Sequence, residues 1–376
     1  MITLFRILSV AAIFVLVLGI GIAGAQSISQ SAEQSNSEDN ALSNKMAGLF
    51  AGLESYETSS ALATPELLQK VHMPFVFDAP TPTATPTEVP APAWLAYVNR
   101  FRISTGLLPL AENESWSNGG WLHSRYMVKN DYVGHHEVLG NPWYTVEGDT
   151  AAQNGNVYVS WWADTSDERP IDFWMTAPFH AISMLDPQLH TTGFGVYREA
   201  IGNWKTGSTL DVSRGRGDLP QGTSFPIPYP ADGETTWLNA YYGGEFPDPL
   251  TSCPGYSAPT GPPIMLQLGS GDITPQVISH RVLENGVQID SCIFDETTYV
   301  NPSSSMQNTG RIVLNHRDAV VIMPRDPLAA GKTYVVEVTT ASSSTNWSFT
   351  VDSEAVSSHE AISPLSQIGS VAPYYE

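Results

Sequence analysis

Positive charge is scarce in this sequence. Seventeen Lys and Arg stand against 38 Asp and Glu, giving a formal net charge of −21. Phosphate-bearing partners need a basic patch, so neither nucleic acid nor electrostatic docking on anionic lipid is expected. Cysteine is nearly missing as well. Cys253 and Cys292 are the only two, which excludes a disulfide-framework miniprotein and any thiol nucleophile earlier in the chain. There is no G-x-S-x-G, no H-E-x-x-H and no Gly-rich phosphate loop. Charged residues make up 15% of the chain, against 28 prolines and 30 glycines, so much of the surface must be uncharged and turn-rich. Internal repeats are absent, and one stretch alone approaches the length of a membrane span.

That stretch is Ile7 to Ala25, preceded by Arg6 and closed by Ala23-Gly24-Ala25. A basic start, an apolar run and an A-x-A end read as a secretory signal. The run also nears the ~18–20 residues that cross a bilayer, so an uncleaved membrane anchor through residues 7–25 stays open. Either reading places the remainder outside the cytoplasm, secreted or on the outer face of the membrane. Residues 26–92 are acidic and polar, then Pro/Thr-rich from Ala79 to Pro92, with an amphipathic patch at Met46–Leu53. They read as a disordered linker, or as a glycosylated spacer crossing a cell wall. Residues 353–376 read as a flexible tail. Two folded domains are expected between these segments, at 93–222 and 223–352.

In the first domain, Trp94, Leu95, Val98 and Phe101 recur at helical spacing, and a second helix is predicted over Glu114–Asn130. Gly119-Gly120 counts against that helix by about 1 kcal/mol per glycine. Ala151–Trp162 is ambiguous between helix and strand. Ile171–Leu185 is predicted as the central helix, kinked or broken at Pro178. Strands follow over Thr191–Glu199 and Asn203–Val212. Two histidine-bearing segments stand out: DYVGHHEV, with His135 and His136, and WMTAPFHAISMLDP, with His180. Taken alone, His180 reads as a core histidine satisfied by a carbonyl. His123 reads as structural or surface, and His136 and His190 as solvated. The acidic ADTSDE at 163–168 lacks the oxygen spacing of a calcium loop.

The ordered set NRFRISTGLLPL, DYVGHHEV, WMTAPFHAISMLDP and GFGVY resembles the CAP superfamily, the SCP-like extracellular domains of cysteine-rich secretory, antigen 5 and pathogenesis-related proteins, in its bacterial form. The likeness runs from Trp94 to Val212. It implies an α-β-α sandwich with a cleft lined by two histidines and two glutamates, the histidines able to hold a divalent metal such as zinc. The histidines map to His135, with His136 as a register alternative, and His180. The acids map to Gln153 and Pro178, so both are replaced, and Glu137 or Glu147 are the candidate substitutes. Two imidazoles alone make an incomplete zinc site, since a catalytic one takes three protein ligands. A general base for water also wants a carboxylate in reach.

The second domain is predicted as an all-β sandwich. Its strands are Pro263–Leu268, Gln276–Leu283, Gly286–Phe294, Gly310–Leu314, Ala319–Met323, Thr333–Thr339 and Asn346–Val351. Asn285-Gly286 marks a tight hairpin. Its close, with Pro324, Leu328, Gly331, Tyr334 and the Trp347-Ser-Phe349 strand, resembles bacterial Ig-like modules. In an oxidising exterior Cys253 and Cys292 are expected to pair, closing a loop of about 40 residues worth about 3–4 kcal/mol. The fold class is thus α+β: a CAP-like α-β-α sandwich followed by an Ig-like sandwich. Three functions compete. The protein binds a lipid, peptide or surface glycan in the histidine cleft, or hydrolyses a substrate with metal at His135 and His180, or serves as a non-catalytic adhesive surface protein.

Overall fold

The computed structural model describes residues 91–353. The leader, the spacer up to residue 90, and the tail beyond 353 lie outside the described residues.

Helix α1 (Ala93–Ser104) buries the apolar stripe Trp94, Leu95, Val98 and Phe101. Two buried polar residues of the same helix tie down the neighbouring chain. Asn99 exchanges hydrogen bonds with both backbone groups of Leu110, at 3.0 and 2.7 Å. Arg102, fully buried, donates to the carbonyls of Leu108, Met184, Asp186 and Leu189. A buried guanidinium needs such acceptors, and burial still pulls its pKa down to about 10. Short strand β1 (Ala111–Glu112) leads into α2 (Glu114–Asn130), capped by the Asn113 side chain on Ser115 and Trp116. The glycines inside α2 are explained by contact. A Cβ on Gly120 would meet Gly195 N and Thr209 O at 3.0 Å, and one on Gly119 would meet Glu147 O at 2.9 Å. The helix gives up propensity in order to lie directly on its neighbours.

The ambiguous stretch holds both forms: α3 (Val146–Gln153), then β2 (Gly155–Ser160). The predicted central helix is two helices, α4 (Glu168–Thr176) and α5 (Pro178–Met184), with Ala177 extended between them and Pro178 opening the second. After β3 (Thr191–Thr192), strands β4 (Phe194–Arg198) and β5 (Thr206–Asp211) join β2 in an antiparallel sheet ordered β2-β5-β4. Strands β1 and β3 pair in parallel.

Beyond residue 222, two sheets form. One is β6 (Ile227–Tyr229), β8 (Ile264–Gln267), β12 (Ala319–Pro324) and β11 (Ser291–Phe294), in the order β11-β12-β8-β6. The other comprises β7 (Thr235–Thr236), β9 (Val277–Glu284), β10 (Val287–Ile289), β13 (Thr333–Thr340) and β14 (Ser344–Val351). Its order is β10-β9-β13-β14-β7, and the β9–β10 hairpin turns at Asn285 and Gly286, both at positive φ. The sheets share one core: Ile264, Leu266, Val320 and Ile322 meet Val282, Tyr334, Val336, Val338, Trp347 and Phe349.

Two strand expectations are corrected. Gly310–Leu314 belongs to a helix, α6 (Ser304–Asn315). Ser303 caps it on Met306, and Gly310 and Leu314, one turn apart, are its buried positions. Gly286–Phe294 is not one strand. The chain changes sheets at Asp290, so β10 pairs with β9 and β11 with β12. The second domain is therefore not all-β.

Strands β8 and β12 are buried along their whole length. Alternate side chains explain this. Ile264, Leu266, Val320 and Ile322 face the five-stranded sheet, while Met265, Ala319, Val321 and Met323 belong to a second core with Phe179, Leu185, Phe294 and Tyr299. Rings of Phe179 and Tyr299 meet edge to face at 5.0 Å, and Gln267 Nε2 donates to Leu185 O at 2.9 Å. The two parts of the molecule thus share a core at α5.

Candidate functional site

The loop after α2 is stapled at several points before it presents His135. Asp131 closes the helix in the left-handed conformation. His123, on α2 and fully buried, reaches the loop with both ring nitrogens: Nδ1 to Glu137 at 3.0 Å and Nε2 to Gly134 O at 2.9 Å. Glu137 accepts a further bond from Thr145 N at 2.9 Å. Its backbone N–H donates to Asp149 at 2.8 Å, and Val138 N donates to Tyr126 Oη. His123 has oxygen at both nitrogens and keeps no lone pair for a ligand, so its work here is to hold the loop.

His135 is held from α3, where its Nδ1 lies 2.9 Å from Ala152 O. A carbonyl only accepts, so Nδ1 carries the hydrogen and Nε2 keeps the lone pair. Burial pushes the His135 pKa down to about 4 against the help of that carbonyl, and positive charge on His180, His123 or His136 acts in the same direction. The ring is neutral at pH 7.

His180 stands on the first turn of α5, edge-on to Phe173 at 6.4 Å. Its Nδ1 lies 2.9 Å from Glu245 Oε1. The same oxygen accepts the backbone N–H of Phe179 at 2.8 Å and of His180 at 3.0 Å. Amides at the start of a helix have no partner within it, and a carboxylate there is favoured by charge as well as by hydrogen bonding. With Nδ1 engaged, Nε2 is the nitrogen left to His180, as it is to His135.

The other sequence candidates differ from these two in exposure and in partners. Glu137 is buried against His123 and is not free to face a ligand. Glu147 is exposed in the first turn of α3, and Gln153 is exposed, donating to Asp149 at 2.8 Å. His136 is exposed near Asp149, and exposed His190 approaches Asp218 O. Pro178, at the mapped acid position, opens α5. Glu245 was missed by sequence reasoning. It follows the HAISMLDP stretch by some sixty residues, and only the Gly243-Gly244 pair before it hinted at a special turn. Asp172 was missed too. It is buried on α4 and receives the Tyr97 hydroxyl at 2.5 Å.

As a zinc site the donors fall short. Among the described residues no group of three or more His, Cys, Asp or Glu side chains is placed to hold a metal ion. His135 and His180 offer two imidazole nitrogens, which does not fit a three-ligand catalytic zinc centre. Cys253 and Cys292 are bonded to each other, as expected. No helix among the described residues is long and apolar enough to cross a membrane.

Residues 95–204, under half of the chain, match the sequence model of the cysteine-rich secretory protein family, CAP. Among solved structures, the chain is similar to an extracellular protein containing an SCP domain from Bacillus anthracis strain Ames, at 19% identity and a TM-score of 0.26. The likeness covers 32% of this chain and 39% of that one, so it spans about two fifths of the solved protein. No curated protein matches the sequence. The stretch that matches the CAP model carries most of α1, both histidines, β2 and β4, and ends just before β5.

Proposed function

We propose that this is an extracellular CAP-domain binding protein whose ligand, a peptide, a surface glycan or a lipid headgroup, is held at His135 and His180. One observation carries the reading: each imidazole is fixed through Nδ1 by a protein oxygen, leaving both Nε2 lone pairs without a partner among the described residues. Neutral nitrogens of this kind accept hydrogen bonds from hydroxyl and amide N–H groups. Glycans and peptides present many of these, and a bare hydrocarbon chain presents none. The signal-like leader and the cysteine pair support a location outside the cytoplasm.

A metal-dependent hydrolase is the competing reading, and the two-donor set counts against it. Calorimetric titration of the secreted protein with zinc, beside soluble cell-wall glycan and peptide fragments, separates the two. The expected outcome is weak or no zinc binding, with fragment binding that a His135→Ala/His180→Ala double variant loses. Tight zinc binding abolished in the double variant would favour the hydrolase. Fragment affinity unchanged in a folded double variant would sink the binding reading. Retention in the membrane fraction with no fragment bound would favour an adhesive surface protein.

A further inference from the structure

Glu245 lies outside the CAP match, which ends at residue 204. It is 1% exposed, while its neighbours Gly244 and Phe246 are exposed, so the chain turns one carboxylate inward from a surface loop. The turn is made by Gly243 and Gly244, at φ of +86° and +92°, values a side chain resists. Both flanks of the loop are tied to the second module. Upstream, buried Tyr241 exchanges two backbone hydrogen bonds with Thr260, at 2.9 and 3.0 Å, and its hydroxyl accepts Glu245 N. Downstream, Asp248 O accepts the Tyr299 hydroxyl at 2.9 Å, and Cys253 is bonded to Cys292 on β11.

The carboxylate is used unevenly. Oε1 takes three donors, all from the first turn of α5, while Oε2 is buried with no hydrogen-bond partner among the described residues. A buried carboxylate half unsatisfied is costly, and burial pushes its pKa up while His180 and the two amides pull it back. Such an arrangement persists when what it holds matters. We infer that Glu245 is the positioning residue of the histidine site: anchored in the second module, it keeps the His180 proton on Nδ1 and turns the Nε2 lone pair toward the ligand. The site is then composite, its ring supplied by the CAP domain and its orienting acid by the connector. This role rests on the proposed use of Nε2 at His180, but its test does not.

The test is a long-range proton–nitrogen correlation spectrum of the ¹⁵N-labelled secreted protein, assigned with His180→Gln and read near pH 7.5. Wild type is expected to show His180 protonated at Nδ1. Glu245→Ala removes the acceptor, and the ring is expected to pass in majority to the Nε2-protonated form, which neutral imidazole favours in water. Glu245→Gln retains an acceptor oxygen and should keep the wild-type form. His135, held by Ala152, should not change in either variant and reports that the fold is intact. An Nε2-protonated His180 in wild type overturns the inference without any variant. So does a folded Glu245→Ala that keeps the Nδ1 form. If the site also binds a fragment, Glu245→Ala should weaken that binding, because the Nε2 lone pair that accepts from the fragment is then replaced by a proton in most molecules. No fragment binding with the tautomer change intact would refute the ligand and leave the positioning role standing.

Discussion

Burial decides how His135 responds to acid. His135 is desolvated and its pKa falls to about 4, so the unfolded chain takes up its proton before the folded one does. Stability is therefore lost as pH falls from about 6.5 toward about 4. Urea unfolding across that range should show the slope in wild type and a reduced slope in His135→Asn. An equal slope in both would place the acid sensitivity elsewhere. Asp172 works with the opposite sign. Burial raises it to about 6, against the pull of the Tyr97 hydroxyl and Arg100. The folded state holds its proton more tightly than the unfolded chain, so stability is lost as pH rises from about 4 to about 6. Relative to wild type, Asp172→Asn should gain about 3 kcal/mol across that window, measured by the same titration. Legibility at this scale was uneven. His135 and His180 were readable because each sits in a contiguous motif. Glu245 was not, because its partner is far along the chain and nothing local to FPDP or GGE distinguishes a buried carboxylate from a solvated one. Glu137 was readable as a candidate but not in its role, since its partner His123 approaches from a different turn of structure.

At the scale of elements, glycine contacts were harder to foresee than apolar stripes. The stripe of α1 and the Asn-Gly hairpin follow from spacing and turn chemistry, and both stand. The break at Pro178 also followed from the sequence. Gly119-Gly120, in contrast, looked like a weak point of α2 and proves to be where α2 lies against α3 and β4. A Cβ on Gly195 would fall 1.9 Å from Trp121 N, a clash with backbone that no rotamer can relieve. Gly195→Ala is expected to cost at least about 3 kcal/mol in denaturant unfolding. Gly106→Ala, with no atom within 4 Å of its Cβ, should cost less and only through its positive φ. Equal losses would mean that close approach is not what selects Gly195. The RIVL stretch of α6 has the alternation and β-branching of a strand. Its helical state is set by the Ser303 cap and by packing of Gly310 against Tyr299 and Phe179, of which Phe179 is distant in sequence.

At the scale of the whole molecule, the boundary expected near residue 222 divides the sequence but not the core. Residues from α1, α4 and α5 lie in one apolar cluster with Tyr241, Met265, Phe294, Val321 and Met323. An ion pair reaches across the same boundary: Asp186, in the stop after α5, is paired with Arg317 at 2.8 Å, and with Arg216 on its own side at 2.7 Å. Unfolding of the protein should therefore be one cooperative transition, with tryptophan fluorescence and far-ultraviolet circular dichroism coincident. Two resolved transitions would show that the parts are independently stable. A Cys253→Ser/Cys292→Ser variant should lower the midpoint by an amount equivalent to about 3–4 kcal/mol without splitting the transition. Two domains were legible as separate runs of pattern. Their union was not, because a strand buried on both faces and a strand buried on one look alike over four residues of Ile-Met-Leu-Gln.

The doubly covered sheet of β8 and β12 has a practical consequence for anyone who would trim this protein to its recognisable part. A fragment ending where the family match ends would strip the lid from Phe179, Met184 and Leu185 and present them to water, beside a helix start that has lost its cap. Its expected fate is sticky self-association, so an inert fragment would report on the cut rather than on the histidines.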